Sequence, residues 1–378
     1  MQQQSAAISS QVTVTDPLNT QATTNFQTLF STTYPIEQSQ AAGSGCPASL
    51  RRQTYDANAN PISQDDFNGN RTCSAFDLSR NLESSRVEGL SGETSCSTVT
   101  ASNAALPTGS RKISSQWHPD WRVKINEALP GQLTTWVYNG QPDPFNSNAL
   151  ASCAPSTALL PDGKPIAVLC KLVEQATTDA NGHLGFSATL QLGVPNRQWS
   201  WTYDALGQML TAKRPRTDIN GTSTYSYYSD TTADHTMGDL QSITDEVGDV
   251  TQLVQYNKHG QVLQSVNPNG VVTLNTYDAR QRLTSSSTAD EVTSLSYDGV
   301  GQLKKITFPD ASFIGYEYDD AHRLIAVSDD EGNRIEYVLD NAGNRTAENV
   351  KDPAGHLKQS LSRVMDPLGR VQQTTGRE

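Results

Sequence analysis

The residues that could carry out chemistry are scattered along the chain rather than grouped. None of the six histidines pairs with another at metal-ligand spacing, and His259 and His322 stand in or beside turns. Residues 56–60, DANAN, resemble the start of a calcium loop, but Pro61 and Phe67 occupy positions that need Gly and Glu. The sequence contains neither a GxSxG elbow nor a phosphate-binding glycine loop. We therefore predict a protein that is not an enzyme and that holds no metal or cofactor.

Three tryptophans, Trp117, Trp121 and Trp136, form a candidate platform for binding sugars. All five tryptophans of the chain lie within or just after residues 91–200, where the prolines and small residues also concentrate. Indole rings can stack on sugar rings, but buried tryptophan more often serves packing. Both interpretations are open from the sequence, and packing is the favoured one.

The five cysteines are an odd number and include no CxxC pair, which argues against a zinc ribbon. Cys153 and Cys170 flank a PDGKP turn. A disulfide between them would close a loop of about 17 residues and would stabilise the fold by about 3 kcal/mol. Free, half-buried thiols are an equally open interpretation.

The composition excludes several classes of protein. The net charge is −12 with dispersed acidic residues, so the basic patch that phosphate binding requires is absent and no nucleic-acid partner is predicted. No apolar run reaches about 18 residues, so no membrane-spanning helix is predicted. The first 30 residues show no signal peptide, so secretion would need another route or a longer parent chain.

Turn signals recur with a regular period in the C-terminal half. Between Asp245 and Asp366, an Asp or Asn that could open a turn recurs every 11 residues on average, with Asp290 and Asp310 among these positions. Asp366-Pro-Leu-Gly369 carries the residues that a type I turn favours. About seven residues remain between turns, which is enough for a strand of roughly 23 Å. The spacing predicts an antiparallel meander.

Alternating side chains support strands rather than helices. Ile314, Tyr316 and Tyr318 share one strand face, while Glu317 points to the other. A tyrosine ends every second strand, at Tyr256, Tyr277, Tyr297 and Tyr318, so we expect these rings to stack as a ladder across strands. The residues assigned to the repeat are Tyr203, Asp204, Gly207, Tyr256, Gly260, Tyr277, Asp278, Tyr297, Asp298, Gly301, Tyr318, Asp319, Gly343, Asp366 and Gly369.

These tandem Y-D-x-x-G-x-[LV] units of about 21 residues resemble the YD repeats of the Rhs (rearrangement hotspot) proteins. Residues 66–90, DFNGNRTCSAFDLSRNLESSRVEGL, and 298–324, DGVGQLKKITFPDASFIGYEYDDAHRL, are similar to bacterial Rhs sequences. The resemblance begins with the unit at residues 14–19 and covers nearly the whole chain. One such motif is a weak signal, but seven or more in register are specific.

The resemblance implies a β-ribbon wound into a hollow shell. In relatives the shell holds a toxic C-terminal domain, which self-cleavage at a boundary motif releases. Such proteins serve bacterial competition, insecticidal toxin complexes and, as teneurins, animal cell adhesion. Here the repeats run to the end of the sequence, and residues 366–376, DPLGRVQQTTG, begin like the boundary motif without completing it. Toxin activity and cleavage residues are therefore not carried over.

The expected architecture is all-β: an antiparallel meander of YD hairpins wound into a curved sheet or partial hollow shell, with a β-propeller as the alternative. We divide the chain into N-terminal YD-type repeats at 1–90, an irregular Trp-rich insertion or degenerate repeats on the same sheet at 91–200, and regular YD repeats at 201–378. Strands are expected at 133–138 and 166–173 within the irregular part.

The expected function is that of a non-catalytic wall segment of an Rhs-type shell that encloses and helps deliver a toxin domain. A cell-surface adhesion or glycan-binding module is the alternative. Expected partners are the rest of such a shell, the toxin cargo, or another copy of the chain bound through exposed sheet edges. Glycans are partners only under the alternative. The expected location is secreted or at the cell surface, and the expected origin is bacterial.

Overall fold

A computed structural model describes residues 8–15, 20–42, 47–216, 218 and 221–376. In these residues the chain forms 29 strands, one short helix α1 (Cys96–Val99) and a 3₁₀ turn at Gly185–Ser187. None of the described helices is long or apolar enough to cross a membrane. Cys46 and residues 16–19 of the first predicted repeat lie outside the described residues.

The strands are short and follow one another closely along the chain. The first twelve are β1 (Ser10–Thr15), β2 (Gln21–Leu29), β3 (Thr32–Gln40), β4 (Ser49–Tyr55), β5 (Pro61–Asp65), β6 (Asn70–Asp77), β7 (Leu82–Ser91), β8 (Arg111–Trp117), β9 (Lys124–Leu129), β10 (Gln132–Tyr138), β11 (Pro142–Asp143) and β12 (Ala149–Leu150). The next nine are β13 (Leu169–Ala176), β14 (Arg197–Tyr203), β15 (Met209–Lys213), β16 (Thr222–Tyr227), β17 (Leu240–Thr244), β18 (Val250–Tyr256), β19 (Val262–Val266), β20 (Val272–Tyr277) and β21 (Leu283–Thr288). The last eight are β22 (Glu291–Tyr297), β23 (Leu303–Thr307), β24 (Phe313–Tyr318), β25 (Leu324–Asp329), β26 (Arg334–Leu339), β27 (Arg345–Lys351), β28 (Leu357–Met365) and β29 (Val371–Gly376).

Twenty-seven of the described strands belong to one sheet, and β11 with β12 forms a separate hairpin. The register pairs strands that are consecutive in the chain and antiparallel, apart from β10 with β13, which the β11–β12 hairpin separates. The predicted all-β antiparallel meander is therefore confirmed. The β-propeller alternative is wrong, because its blades would interrupt the pairing every four strands.

One compact unit comprises the described residues of Met1–Ser115, Asp179–Ala188 and Ser296–Glu378. Its strands pair in two runs, β1 to β8 and β23 to β29. Its main apolar cluster consists of the buried side chains of Cys73, Val87, Leu90 and Val99. Removing these groups from water drives β6, β7 and α1 together.

The second unit comprises Gln116–Thr178 and Thr189–Leu295. Its strands pair without interruption from β9 through β10 and β13 to β22. The strand predicted at 133–138 is confirmed as β10, but the strand predicted at 166–173 begins later, at Leu169. The reason is local: the N–H of Ile166 donates to the C=O of Ala158 instead of to a neighbouring strand. The three-part division by repeat regularity stays a prediction.

Two disulfides fasten the less regular segments. Cys73–Cys96 joins β6 to α1 across 23 residues, and Cys153–Cys170 joins the loop after β12 to β13 across 17 residues. The sequence suggested only the second of these pairs. A cysteine in a strand and one in a distant helix carry no spacing signal, so the first pair was not foreseen.

We expect the Cys153→Ala, Cys170→Ala double variant to lose about 3 kcal/mol of unfolding free energy, because the unfolded chain regains the entropy of a 17-residue loop. Urea unfolding followed by tryptophan fluorescence measures the loss. Cys46→Ala is the control, since it leaves both disulfides in place. Equal stability of the double variant and the parent chain would contradict the prediction.

Candidate functional site

The YD turns share one main-chain geometry. The N–H of Asp298 donates to the C=O of Gln302 at 2.9 Å, and the N–H of Gly301 donates to the C=O of Asp298 at 3.2 Å. The same two bonds close the turns that open at Asp56, Asp66, Asp204, Asp245, Asn257, Asn267, Asp278, Asp319, Asp329, Asp340, Asp352 and Asp366. The structure therefore places the same reversal at most of the predicted positions.

The side chain that opens each of these turns accepts hydrogen bonds from main-chain N–H groups of the reversal. Oδ1 of Asp298 accepts from Val300 at 3.0 Å, Gly301 at 2.7 Å and Gln302 at 2.8 Å. The amide oxygens of Asn257 and Asn267 do the same in their own turns. A side-chain oxygen bonded to Cγ, as in Asp and Asn, reaches these donors from the first turn position, which explains the Asp or Asn found there.

In seven of the turns that open with Asp, the second carboxylate oxygen accepts a hydrogen bond from the Arg or Asn side chain that follows the Gly position. Arg282 Nε donates to Asp278 at 2.8 Å, Arg323 Nε to Asp319 at 2.9 Å, and Asn344 Nδ2 to Asp340 at 2.8 Å. The same contact is made by Asn60, Asn70, Asn333 and Arg370. Sequence reasoning missed this residue, although an Arg or Asn four positions after the Asp was a readable signal.

Side chains after the Gly position also connect one turn to the next along the same side of the sheet. Gln261 Nε2 donates to the C=O of Gln281 at 2.8 Å. Gln302 Nε2 donates to the C=O of His322 at 2.9 Å, and Arg323 then donates to the C=O of Asp340 at 3.2 Å. These contacts hold neighbouring hairpins in register at their turns.

The fourth position of the turn requires a left-handed backbone. Gly207 and Gly301 have φ of 82° and 104°. Gln281 and His322 adopt φ of 66° and 63° at the same position, although such a conformation costs an L residue about 1–2 kcal/mol. The turn position predicted for His322 is confirmed, and His259 directly precedes Gly260.

Two predicted turn openers, Asp290 and Asp310, do not open their turns. Asp290 is the second residue of a two-residue turn, after Ala289, with φ of 51° and 68° for the pair. Consecutive left-handed residues match the twist of a tight hairpin. Asp310 is the third residue of a turn whose first residue is Phe308. In both cases the preceding strand ends earlier than the acidic residue suggests, at Thr288 and at Thr307.

Four repeat tyrosines, Tyr203, Tyr256, Tyr277 and Tyr318, sit at a β-bulge. Tyr318 pairs with Leu324, but the preceding Glu317 pairs with Ala326, so one residue of β25 is left over. Tyr203, Tyr256 and Tyr277 pair with the apolar residue of their own motif in the same way. The apolar seventh position of the motif is thus the partner of the tyrosine across the hairpin. A bulge at this point increases the local twist of the strands.

The tyrosine hydroxyl then reaches the strand on its other side. Tyr318 Oη donates to the C=O of Leu303 at 2.9 Å, and Tyr277 Oη donates to the C=O of Val262 at 3.1 Å. Both acceptors are the seventh residue of the preceding YD motif. Tyr256 donates likewise to Leu240 at 2.6 Å. One tyrosine therefore connects three successive strands.

The phenols act as donors over the whole physiological pH range. Burial raises the pKa of Tyr203 and of Tyr318, and burial with the nearby charge of Asp239 raises the pKa of Tyr256 to about 12. A phenolate at these positions would lose its hydrogen bond and face a carbonyl oxygen. The bonds are consequently insensitive to pH near neutrality.

The predicted stacking of the repeat tyrosines is wrong. Among the described residues, no ring contact joins Tyr256 to Tyr277 or either of them to Tyr318; the tyrosine pair in contact is Tyr34 with Tyr55, at 5.3 Å between centroids. Successive repeat tyrosines lie two strands apart, which is roughly 10 Å. Aromatic pairs need centroids within about 7 Å. The hydroxyl bond takes over the connecting role.

The three candidate platform tryptophans contact different neighbours. Trp121 stacks on the buried ring of His118, with 4.5 Å between centroids. Trp117 lies beside the ammonium group of Lys124, and Trp136 is a half-buried residue of β10 opposite Leu172. One face of Trp121 is thereby covered by protein, which supports the packing interpretation.

The acidic residues that could bind a metal are engaged elsewhere. Asp56, which begins the calcium-like DANAN segment, accepts the N–H groups of Asn58 and Asn60. In the described part of the chain no three His, Cys, Asp or Glu side chains come together as metal ligands. The geometry of the site is that of a structural joint.

Comparison with known proteins finds a family model that matches part of the repeat. Residues 185–363, just under half of the chain, match the family model described as Teneurin YD-shell, which confirms the YD-repeat resemblance for that segment. A search of curated proteins found no match.

Two solved structures are similar over most of this chain. One is the Photorhabdus luminescens Tc holotoxin pore, with 13% identity, a TM-score of 0.48, and coverage of 93% of this chain and 19% of that one. The other is the TcdB2–TccC3 complex, with 14% identity, a TM-score of 0.47, and coverage of 93% and 20%. The chain thus spans a fifth or less of the length of these solved chains.

We expect Tyr256→Phe and Tyr318→Phe each to lower the unfolding free energy by about 1 kcal/mol, because each leaves a main-chain carbonyl without its phenol donor. Tyr316→Phe is the matched control, since its hydroxyl makes no hydrogen bond to the described residues. Urea unfolding of the three variants gives the comparison. Equal losses in all three would show that the hydroxyl bond contributes nothing.

Acid should loosen the turns. Hydrogen bonds from the Arg282 N–H and then from the Arg282 side chain lower the pKa of Asp278, and main-chain donors lower the pKa of Asp245. Below the ordinary value of 3.8 the unfolded chain binds more protons, so stability present above that pH is lost as pH falls through the lowered pKa.

We expect Asp278→Asn to reduce this acid slope, because the amide keeps an acceptor but does not titrate. Unfolding free energies measured between pH 2.5 and 7 test it. Asp290→Asn serves as the control, since its carboxylate accepts no hydrogen bond within the described chain. A slope unchanged by Asp278→Asn would refute the assignment.

Proposed function

We propose, from the match of residues 185–363 to the Teneurin YD-shell model, that the chain is a non-catalytic wall segment of an Rhs-type β-shell that encloses and helps deliver a toxin domain. The observation that carries the proposal is the repeated joint of aspartate turn and bulged tyrosine. In this joint the aspartate carboxylates and tyrosine hydroxyls are engaged in hydrogen bonds that close a turn or join one hairpin to the next. A structural wall is stabilised when its polar side chains bond to one another, whereas an active site needs polar side chains that remain available to bind a substrate.

The proposed partners are the remainder of a shell and its cargo. A sheet edge presents unpaired N–H and C=O groups, and another strand can pair with them. The cargo is proposed from the YD-repeat resemblance alone. The net charge of −12 and its dispersed acidic residues favour a protein partner over a nucleic acid.

The proposed location is outside the cytoplasm, secreted or at the cell surface. Two disulfides support it, because such bonds form and persist in oxidising compartments. The proposed origin is bacterial, which again comes from the repeat resemblance.

Protection of a cargo tests the function. The chain is affinity-purified from its natural host, treated with trypsin, and the co-purifying polypeptides are followed by mass spectrometry. We expect one co-purifying polypeptide to be cleaved at least tenfold more slowly than after separation from the chain. Purification of the chain alone, or cleavage of its partners at equal rates, would contradict an enclosing role.

A glycan array separates the alternative of an adhesion module. Under the shell proposal, the parent chain binds no glycan strongly. Strong binding that is lost in Trp117→Ala or Trp136→Ala, but kept in the Trp199→Ala control, would favour adhesion instead. Trp199 is a suitable control because it lies in the same unit and packs against Arg197 at 4.9 Å.

A further inference from the structure

The first compact unit joins two runs of strands that are far apart in sequence, β1 to β8 and β23 to β29. Two turns of the second run, at residues 340–343 and 366–369, touch the first run. The contacts go to three places: Gln40 in β3, Asn68 between β5 and β6, and Gly89 in β7. The two runs are therefore connected through turn tips as well as through the chain.

The contact at Gly89 is a close approach of backbone and side chain. Gly89 has φ of 76°, and a Cβ added there would lie 2.7 Å from Cδ2 and 3.0 Å from Cγ of Leu368. Any larger residue at this position would displace the leucine. Leu368 occupies the space in which a side chain at position 89 would lie.

The burial of Leu368 distinguishes its turn from others of the same geometry. The third turn position is held by Leu206 in one turn and by Val247 in another, and these side chains are 79% and 71% exposed. Leu368 occupies the same position but is half-buried. The apolar side chain at the third turn position is exposed to solvent in those turns but partly buried in the turn at 366–369.

Two hydrogen bonds accompany the apolar contact. Gln40 Nε2 donates to the C=O of Asn341 at 2.7 Å, across 301 residues of sequence. Asn68 Nδ2 donates to Oδ2 of Asp340 at 3.2 Å. The turns also touch each other, since a Cβ on Gly369 would lie 3.1 Å from Oδ1 of Asn344.

We infer that these contacts form a clasp, made of turns 340–343 and 366–369 seated on Gln40, Asn68 and Gly89, that opens locally while the strand ladders stay intact. Among the described residues, Leu368 and two hydrogen bonds join it to the first run, whereas each of β27 and β28 has five or more residues paired to its neighbours. Elements with few buried contacts open at lower free energy than the whole fold.

The space beside the clasp favours its opening. A cleft of about 480 Å³ lies between the two runs and is lined by Arg52, Asp65 and Arg71 on one side and Leu368 on the other. Two ion pairs lie in its lining, Arg71 with Asp65 at 2.7 Å and Arg52 with Glu37 at 2.9 Å. Leu368 borders this open space, and its release breaks neither ion pair.

Thiol labelling tests the clasp. In a Cys46→Ser background, Leu368→Cys and Leu206→Cys are reacted with a thiol reagent in the native full chain. We expect Leu368→Cys to react at least tenfold more slowly than Leu206→Cys, at a rate that low urea concentrations leave unchanged. Equal rates would show that no clasp forms, and a rate that follows global unfolding would show that it does not open locally.

A second substitution tests the contact between Gly89 and Leu368. Adding Gly89→Ala to Leu368→Cys should raise the labelling rate at least tenfold, because the new methyl group occupies the place of the residue-368 side chain. Gly355→Ala is the matched control: its φ is 81°, and a Cβ there meets nothing within 4 Å. It should leave the rate unchanged. Equal effects of the two substitutions would assign the change to backbone strain and overturn the clasp.

Discussion

The whole repeat depends on how the chain satisfies its main-chain N–H groups each time it reverses. A reversal removes several donors from the strand ladder, and a short strand cannot compensate for groups left unpaired at both ends. One side-chain oxygen at the first turn position solves this, as Asp298 does with three N–H groups. With the reversals closed at a fixed length, the strands between them acquire a fixed register.

The tyrosine adds a second connection to the reversal. The hairpins of Tyr277 and Tyr318 are bulged, whereas those that turn at Asn267 and Asp329 close in the same way without a bulge. In the bulged hairpins the carbonyl of the seventh motif position is available as an acceptor. The phenol of the next unit reaches that carbonyl, as Tyr318 reaches Leu303. Tyrosine fits the position because its side chain is long enough to cover the distance to the neighbouring strand, where its hydroxyl donates to the main-chain carbonyl. Leu339 and Met365 take the same slot and keep the bulge without this bond.

The sequence was sufficient for the fold class and for most turns, because Asp, Asn and Gly act locally and their chemistry is legible at short range. It misled where the outcome depended on distances across the sheet. The predicted stacking of tyrosines is wrong because successive tyrosines lie two strands apart. The predicted turn opener Asp290 is wrong because a two-residue turn places it in the second position. The Cys73–Cys96 disulfide and the seat of Leu368 on Gly89 join residues with no shared spacing, so only coordinates reveal them.

A fold built in this way needs little apolar core. The hydrophobic fraction is 35%, and the main buried cluster of the first unit contains four side chains, one of them a disulfide cysteine. Stability must come largely from hydrogen bonds that are each worth about 1 kcal/mol and repeated many times. Such a sheet tolerates the loss of single contacts but depends on having all its turns alike. If the turn aspartates took part in catalysis or metal binding instead, the hydrogen bonds that define the register would be lost. The repeat therefore favours a structural role for these residues.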